Sequence, residues 1–333
     1  EIEGVDLVLG AAEKFNIVEH LKDLTRHDTG KICSCDIDEV NTFVPSYSVK
    51  ERTRIFLKVQ DGCDYNCSFC TIPLARGKSR SDSIQNVLSN IDEITNAGAK
   101  EIVLTGINLG DFGKGLHGGK KKEESFFELI EAVEKSTAIE RVRISSIEPN
   151  LLTEGMIEFI SKSKKIMPHF HMPLQSGSNY TLANMRRRYK REIYAERVAL
   201  IKKLMPHACI GADVIVGFPG ENDDDFNETA TFISSLDISY LHVFTYSERA
   251  NTQALEIQPV VPVNVRNERN KILRNISFLK MQQFTLQHSG QIRKVLFEGK
   301  NKNGMMEGYT DNSIKVTIPY QSDLENKITD WKI

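Results

Sequence analysis

Three cysteines spaced Cys63-x-x-x-Cys67-x-x-Cys70 are the residues whose type and spacing most directly specify chemistry in this chain. Three thiolates converging from one short loop can hold three irons of a 4Fe-4S cluster and leave the fourth iron without a protein ligand. An open iron can bind a substrate, so the missing fourth cysteine matters as much as the three present. Other uses fit less well. Zinc wants a fourth Cys or His at short spacing, and the next histidine is His117. A bacterial ferredoxin run would continue with a further Cys-x-x-Cys and close on Cys-Pro, whereas Ile72-Pro73 follows Cys70. The stretch 63–70 is polar enough to read as a loop and not as core. A disulfide framework does not suit a 333-residue chain with six cysteines and no secretory signal.

Such a loop needs a scaffold, and the surrounding sequence predicts one. From Thr53 onward, short β-branched runs alternate with longer amphipathic stretches, the signature of βα units around a parallel sheet. The expected strands are Ile55–Val59, Glu101–Leu104, Arg141–Ser145, His169–Met172, Ile210–Val216 and Leu241–Tyr246. Helices are expected over Asp82–Ala97, Ser125–Lys135, Leu152–Ser161, Arg191–Leu204 and Asp224–Leu236, with Asp82 and Asp224 as N-caps and Gly98 as a C′ glycine. Six units make an α/β fold of the partial (β/α)6 barrel kind, although a doubly wound sheet gives the same alternation. A parallel barrel places chemistry at the C-terminal ends of its strands. There the sequence carries the cysteine loop, Thr105-Gly106, Ser145-Ser146-Ile147-Glu148, Gln175-Ser176-Gly177 and Gly217-Phe218-Pro219-Gly220. Glycine and small polar residues repeated at strand ends suggest close backbone approach to a ligand in one shared pocket.

The loop Cys63-Asp64-Tyr65-Asn66-Cys67-Ser68-Phe69-Cys70 resembles the defining loop of the radical S-adenosylmethionine (SAM) enzymes. With Gln60-Asp61-Gly62 before it and Thr71-Ile72-Pro73-Leu74-Ala75-Arg76-Gly77-Lys78-Ser79-Arg80 after it, the stretch resembles the methylthiotransferases, specifically the threonylcarbamoyladenosine branch. The resemblance implies Cys63, Cys67 and Cys70 as cluster ligands and SAM chelating the open iron. It implies Phe69 beside the adenine, Thr105 and Gly106 toward the amino end of the methionine moiety, and Ser146 and Glu148 on the ribose. Gln175 would contribute from a neighbouring strand end, and Ile215 and Gly217 would line the adenine side. For Glu148 a helix-entry carboxylate before Pro149 is an equal alternative. Reductive cleavage of SAM would yield methionine and a 5′-deoxyadenosyl radical that takes hydrogen from the substrate's adenine ring. Methylated sulfur from a second 4Fe-4S cluster would replace it. The second cluster's ligands lie in an N-terminal domain in this family, so they are expected before residue 1, with Cys33 and Cys35 incidental.

Four segments are expected: 1–28, the end of that N-terminal α/β domain, with helix from Ala12 to about Leu24; 29–51, a linker; 52–289, the radical SAM domain; and 290–333, a small β module. The last resembles the start of a TRAM domain, with strands Lys294–Phe297, Met305–Tyr309 and Ile314–Ile318. No run of eighteen apolar residues predicts a membrane span, and free thiols without a signal peptide fit the cytoplasm. The formal charge of −2 does not advertise nucleic-acid binding. Locally, however, 186–203 carries eight basic residues against two acidic ones and 50–80 seven against three. Arg76, Arg80, Arg186, Arg187 and Arg188 are therefore expected to meet the phosphates of a tRNA anticodon stem-loop, while the acidic stretch 221–228 points away. The remaining expectations are an electron donor such as flavodoxin or ferredoxin, and a monomer. Two alternatives stay open: a sister methylthiotransferase acting on isopentenyladenosine or a ribosomal-protein aspartate, and an RNA-binding protein with a structural cluster.

Overall fold

The computed structural model describes residues 4–22, 30–48, 53–115, 123–301 and 303–333. His117, Lys302, the extreme N-terminus and the predicted boundaries at 28–29 and 51–52 lie wholly or partly outside these residues. The N-terminal unit holds β1 (Leu7–Leu9), α1 (Ile17–Lys22) and β2 (Lys31–Cys33), with β1 and β2 paired in parallel. The stretch expected as linker from residue 29 therefore contains a strand. Its Cys33 lies opposite Leu9, which is why a polar composition alone misreads it.

The next strand, β3 (Arg54–Lys58), leads into the hairpin strands β4 (Gln60–Asp61) and β5 (Arg80–Ser81), which clamp both ends of the cysteine loop and of α2 (Ile72–Arg76). Then follow α3 (Ile84–Asn96), β6 (Glu101–Thr105), α4 (Phe126–Ser136), β7 (Arg141–Ile144), α5 (Glu154–Lys162) and β8 (His169–Gln175). After them come α6 (Asn179–Asn184), α7 (Arg191–Leu204), β9 (Cys209–Val216), α8 (Asp223–Ser235), β10 (Tyr240–Thr245) and α9 (Val263–Gln287). Six strands lie in two parallel sheets, β3-β6-β7 and β8-β9-β10, that meet through a bridge between Val142 and Ile166. This is the partial barrel expected, and not a doubly wound sheet. The N-caps differ: Ser83 and Asn222 accept the N3 amides, one and two residues away from the aspartates expected. Asp82 instead bonds the Asn86 side chain, and Gly98 follows the α3 C-cap at φ +96° as expected.

Strand alternation decides what the barrel encloses. Ile55, Leu57, Ile102, Leu104, Val142, Ile144, Phe170, Met172, Ile210, Ala212, Val214 and Leu241 belong to one continuous core shared with the helices. From α3 that core receives Val87, Ile91 and Ile94, spaced so that one helical face is buried; each such aliphatic side chain contributes about 1.5–3 kcal/mol of burial. The alternate positions turn inward: Arg54, Lys58, Glu101, Arg141, Arg143, His169, His171, Asp213, Tyr240 and His242. Parallel strands buried on both faces normally read as continuous apolar runs, so this alternation marks a polar lumen.

The C-terminal module closes the other end of that lumen. Its strands β11 (Ile292–Lys300), β12 (Met305–Thr310), β13 (Lys315–Pro319) and β14 (Ile328–Lys332) form an antiparallel sheet in the order β13-β12-β11-β14. The fourth strand was not expected from sequence. Arg143 donates to the Thr310 and Asp311 carbonyls and to Ser313 Oγ, and Arg141 to the Tyr309 and Lys294 carbonyls. Arg54 stacks on the Tyr309 ring at 4.1 Å and pairs with Glu298 at 2.8 Å.

Candidate active site

The cysteine loop sits at the C-terminal mouth of the barrel, and each sulfur meets a donor. The Tyr65 amide lies 3.4 Å from Cys63 Sγ, the Ile72 amide 3.4 Å from Cys70 Sγ, and Arg187 Nη1 3.2 Å from Cys67 Sγ. Backbone bonds from Cys63 to the Gly77 carbonyl and from Cys70 to the Cys67 carbonyl set the curvature. Ser68 fastens the loop to the end of α6 through the Asn184 and Met185 carbonyls. Burial, with Asp111 and the two other cysteines adding to it, pushes the Cys63 thiol up to about 12 against the Tyr65 amide, and burial also raises Cys67 against Arg187. Without a metal Cys63 and Cys67 thus favour the neutral thiol. Three sulfurs close enough to oppose one another's ionisation, each with a donor, fit the donor set of a cluster, whose iron charge would reverse that preference.

Other predicted residues fall around this loop, though not in one pocket. Phe69, Gln175 and Ile215 line a cavity of about 310 Å³ together with Asp213, Phe244, Thr245, Tyr246, Ser247 and Arg249. Phe69 meets Phe218 edge-on at 6.2 Å, and Phe218 meets Tyr246 in turn. Thr105 and Gly106 line a second cavity, of about 450 Å³, with Lys14, Phe15, Lys58, Gln60 and Arg76. The two glycines are explained by protein and not by a ligand: a Cβ on Gly106 would lie 2.8 Å from Gln60 Oε1, and one on Gly217 2.2 Å from Arg266 Cγ. Gln60 was missed from sequence. Its Oε1 accepts from the Ile107 and Asn108 amides while Nε2 donates to Ser79 and the Gly62 carbonyl, tying the β6 loop to the cysteine loop.

The charged residues are sorted by burial. Arg186 and Arg188 are exposed and Arg76 is partly exposed. Arg188 stacks on the Tyr65 ring at 4.1 Å and donates to the Asp64 carbonyl, so an exposed cation stands directly on the loop. Arg80 and Arg187 do not face outward as expected. Arg80 is buried, pairs with Asp61 at 3.1 Å and donates to the Arg76 carbonyl. Arg187 is buried against Glu148, Cys67 and Tyr189. Burial alone would weaken its charge, but Tyr189, Glu148 and Cys67 hold it above its ordinary value. Glu148, expected on the ribose, is paired with Arg187. Of the acidic stretch, Glu221 and Asp223 grip Arg269 and Glu228 grips Arg191.

Arg187 turns inward where the local charge count expected an outward-facing cation, and its contact with Cys67 gives a testable effect. Arg187→Met is expected to shift the cluster's midpoint potential to a more negative value, since a cation 3.2 Å from Cys67 Sγ stabilises the reduced form. SAM cleavage should fall about 10–100-fold, the usual range for removing a partner of a metal ligand. Arg187→Lys should restore part of the potential but not the forked contact. An unchanged midpoint in an EPR-monitored titration of Arg187→Met would show that the contact has no electronic role.

Among the described residues, His171, Asp213 and His242 also bring one imidazole or carboxylate atom each within 4.8 Å of the others. They lie on neighbouring strands, and their signal in the sequence is the inward register of β8, β9 and β10. No helix among the described residues is long and apolar enough to cross a membrane.

Residues 57–233 match the model of the radical SAM superfamily. Over its whole length the chain is 36% identical to the threonylcarbamoyladenosine tRNA methylthiotransferase MtaB of Bacillus subtilis, covering 74% of that protein. It is 36% identical to the enzyme of that name from Aquifex aeolicus over 93% of the chain and 75% of the relative. Over 99% of the chain it is 34% identical to the tRNA-2-methylthio-N(6)-dimethylallyladenosine synthase of Clostridium tetani, of which it covers 72%.

Proposed function

We propose, on the premise that this chain belongs to the radical SAM tRNA methylthiotransferases, that it supplies the radical-generating part of the 2-methylthiolation of N6-threonylcarbamoyladenosine beside the tRNA anticodon. The observation that carries the reading is the Cys63–Cys67–Cys70 loop, clamped at the mouth of a six-strand barrel whose sequence follows that of the Bacillus subtilis relative from end to end. The 4Fe-4S cluster and SAM supply one-electron reductive cleavage of a carbon–sulfur bond when bound. The chain's residues supply placement. Cys63, Cys67 and Cys70 hold three irons, and Arg187 keeps positive charge against one thiolate. Phe69 and Ile215 offer apolar walls to the adenine of SAM, with Gln175 at the same cavity and Ser146 near the ribose. Thr105 faces the amino end from its own strand end.

Arg76, Arg186 and Arg188 are the cations placed to meet tRNA phosphates. Electron delivery by a flavodoxin or ferredoxin, a monomeric state and a cytoplasmic setting complete the reading. Sulfur transfer needs a second cluster. Cys33 and Cys35 lie by the N-terminal unit and Cys209 is buried on β9, so the three cysteines outside the loop do not form a second triad. The 333 residues by themselves are therefore expected to cleave SAM without attaching sulfur to RNA. Detection of methylthiolated adenosine in an assay with this chain alone would refute the division of labour. The reading of the whole protein is tested by nucleoside analysis of tRNA from cells lacking it. Loss of the methylthio group from threonylcarbamoyladenosine supports it; loss only from isopentenyladenosine would favour the sister activity.

A further inference from the structure

We infer that the lumen cluster His242–Asp213–His171 is the binding site for the acidic arm of the substrate base, with His242 as its specificity-determining residue. The inference rests on the proposed substrate class and names where that class is read. Asp213 and His242 face each other across the β9–β10 ladder, and Asp213 lines the same cavity as Phe69 and Ile215. Asp213 Oδ1 lies 3.0 Å from His171 Nε2 and 3.3 Å from His242 Nδ1, so one carboxylate oxygen accepts from both rings. The side chain of His171 is 11% exposed and that of His242 is 56% exposed. The outer imidazole is thus anchored at Nδ1, while its exposure leaves room for a ligand to reach the ring.

The two branches of substrate differ in what this floor would meet. A threonylcarbamoyl arm ends in a carboxylate and a hydroxyl; an isopentenyl arm ends in hydrocarbon. The cavity offers the Gln175, Asp213 and Arg249 side chains, and the His242 ring stands beside it through its bond to Asp213. The Asp213 hydrogen bond raises His242 above its ordinary value, which favours the ring as a donor to an anion. Burial opposes the charge of Asp213 itself, yet the bonds from His171 and His242 hold its carboxyl well below its ordinary range. A hydrocarbon arm would dehydrate these groups and return no hydrogen bond, a mismatch that sites built on polar contacts reject strongly. The half-exposed Phe244 ring, two residues beyond His242 on the same face of the strand, supplies the apolar wall for the base.

The test compares binding of three anticodon stem-loop RNAs by the cluster-loaded protein with SAM present. They differ only at the target adenosine: unmodified, threonylcarbamoyl and isopentenyl. The wild type is expected to bind the threonylcarbamoyl RNA at least about 10-fold more tightly than the other two, the scale of a charge-assisted hydrogen bond. His242→Phe and His242→Gln should each remove most of that ratio, whereas Arg186→Ala should weaken all three RNAs alike. A ratio kept in both His242 variants overturns the inference while leaving the substrate reading intact. A wild type without preference for the threonylcarbamoyl RNA overturns the substrate reading itself, and the inference with it. A preference that appears only on adding Zn²⁺ and vanishes with EDTA would also overturn it, because the cluster would then read the arm through a metal.

Discussion

Cys67→Ala leaves the reconstituted protein colourless, with iron near zero and no 5′-deoxyadenosine formed under strong reductant. Cys67 is the most buried of the three ligands, and its sulfur is the one held by Arg187. Two cysteines cannot retain a cluster that already keeps one iron free of protein. The wild type should reconstitute to about four irons per chain, and about eight would contradict a single cluster. Loss of the thiol is not expected to unfold the barrel, because the loop's anchors are backbone bonds: Ser68 to Met185, Ala254 to Ser68 and Cys63 to Gly77. The far-ultraviolet circular dichroism of Cys67→Ala should match that of the wild type. Brown colour and SAM cleavage retained in the variant would sink the assignment of the loop.

The barrel was legible because each strand carries two messages. Ile55, Leu57 and Val59 announce a strand through β-branched and aliphatic content, and of the residues between them Lys58 announces a face that is not core, whereas Phe56 is revealed on that face only by its exposure in the structure. The same alternation, Phe170, Met172 and Leu174 against His169, His171 and Gln175, held the lumen cluster in plain view, but only parallel pairing brings its members together. Helix α7 appears with the bounds expected, Arg191–Leu204. What stayed hidden has one physical cause: partners distant in sequence. Arg80 and Arg187 add to a local basic count, yet Asp61 and Glu148, 19 and 39 residues away, draw both inward. Gly106 and Gly217 looked like ligand approaches, and the space beside them belongs to Gln60 and Arg266. The strand β14 was missed because, among the described residues, its ladder partner is β11, far back in the module.

Arg143→Leu is expected to cost about 3–5 kcal/mol, the range for removing one partner of a buried ion pair. Glu101 is fully buried, and Arg143 grips it with Nε at 2.7 Å and Nη2 at 3.3 Å; Arg141, at 3.8 Å, is the remaining cation beside it. The same guanidinium donates to the Thr310 and Asp311 carbonyls and to Ser313 Oγ, so its loss leaves acceptors of both the barrel and the C-terminal module unpaired. Each buried acceptor left without a donor costs about 1–3 kcal/mol. The damage should therefore show first as weakened attachment of the module, read as faster amide exchange in β11 and β12, and then as a lower urea midpoint. Removing both charges, in Glu101→Leu with Arg143→Leu, should recover only part of the loss: the uncompensated buried carboxylate is gone, but Arg141 loses its partner at 3.8 Å. A single-variant cost under about 1 kcal/mol, the level of an exposed pair, would mean that water reaches this end of the lumen. The module would then be tethered to the barrel and not sealed against it.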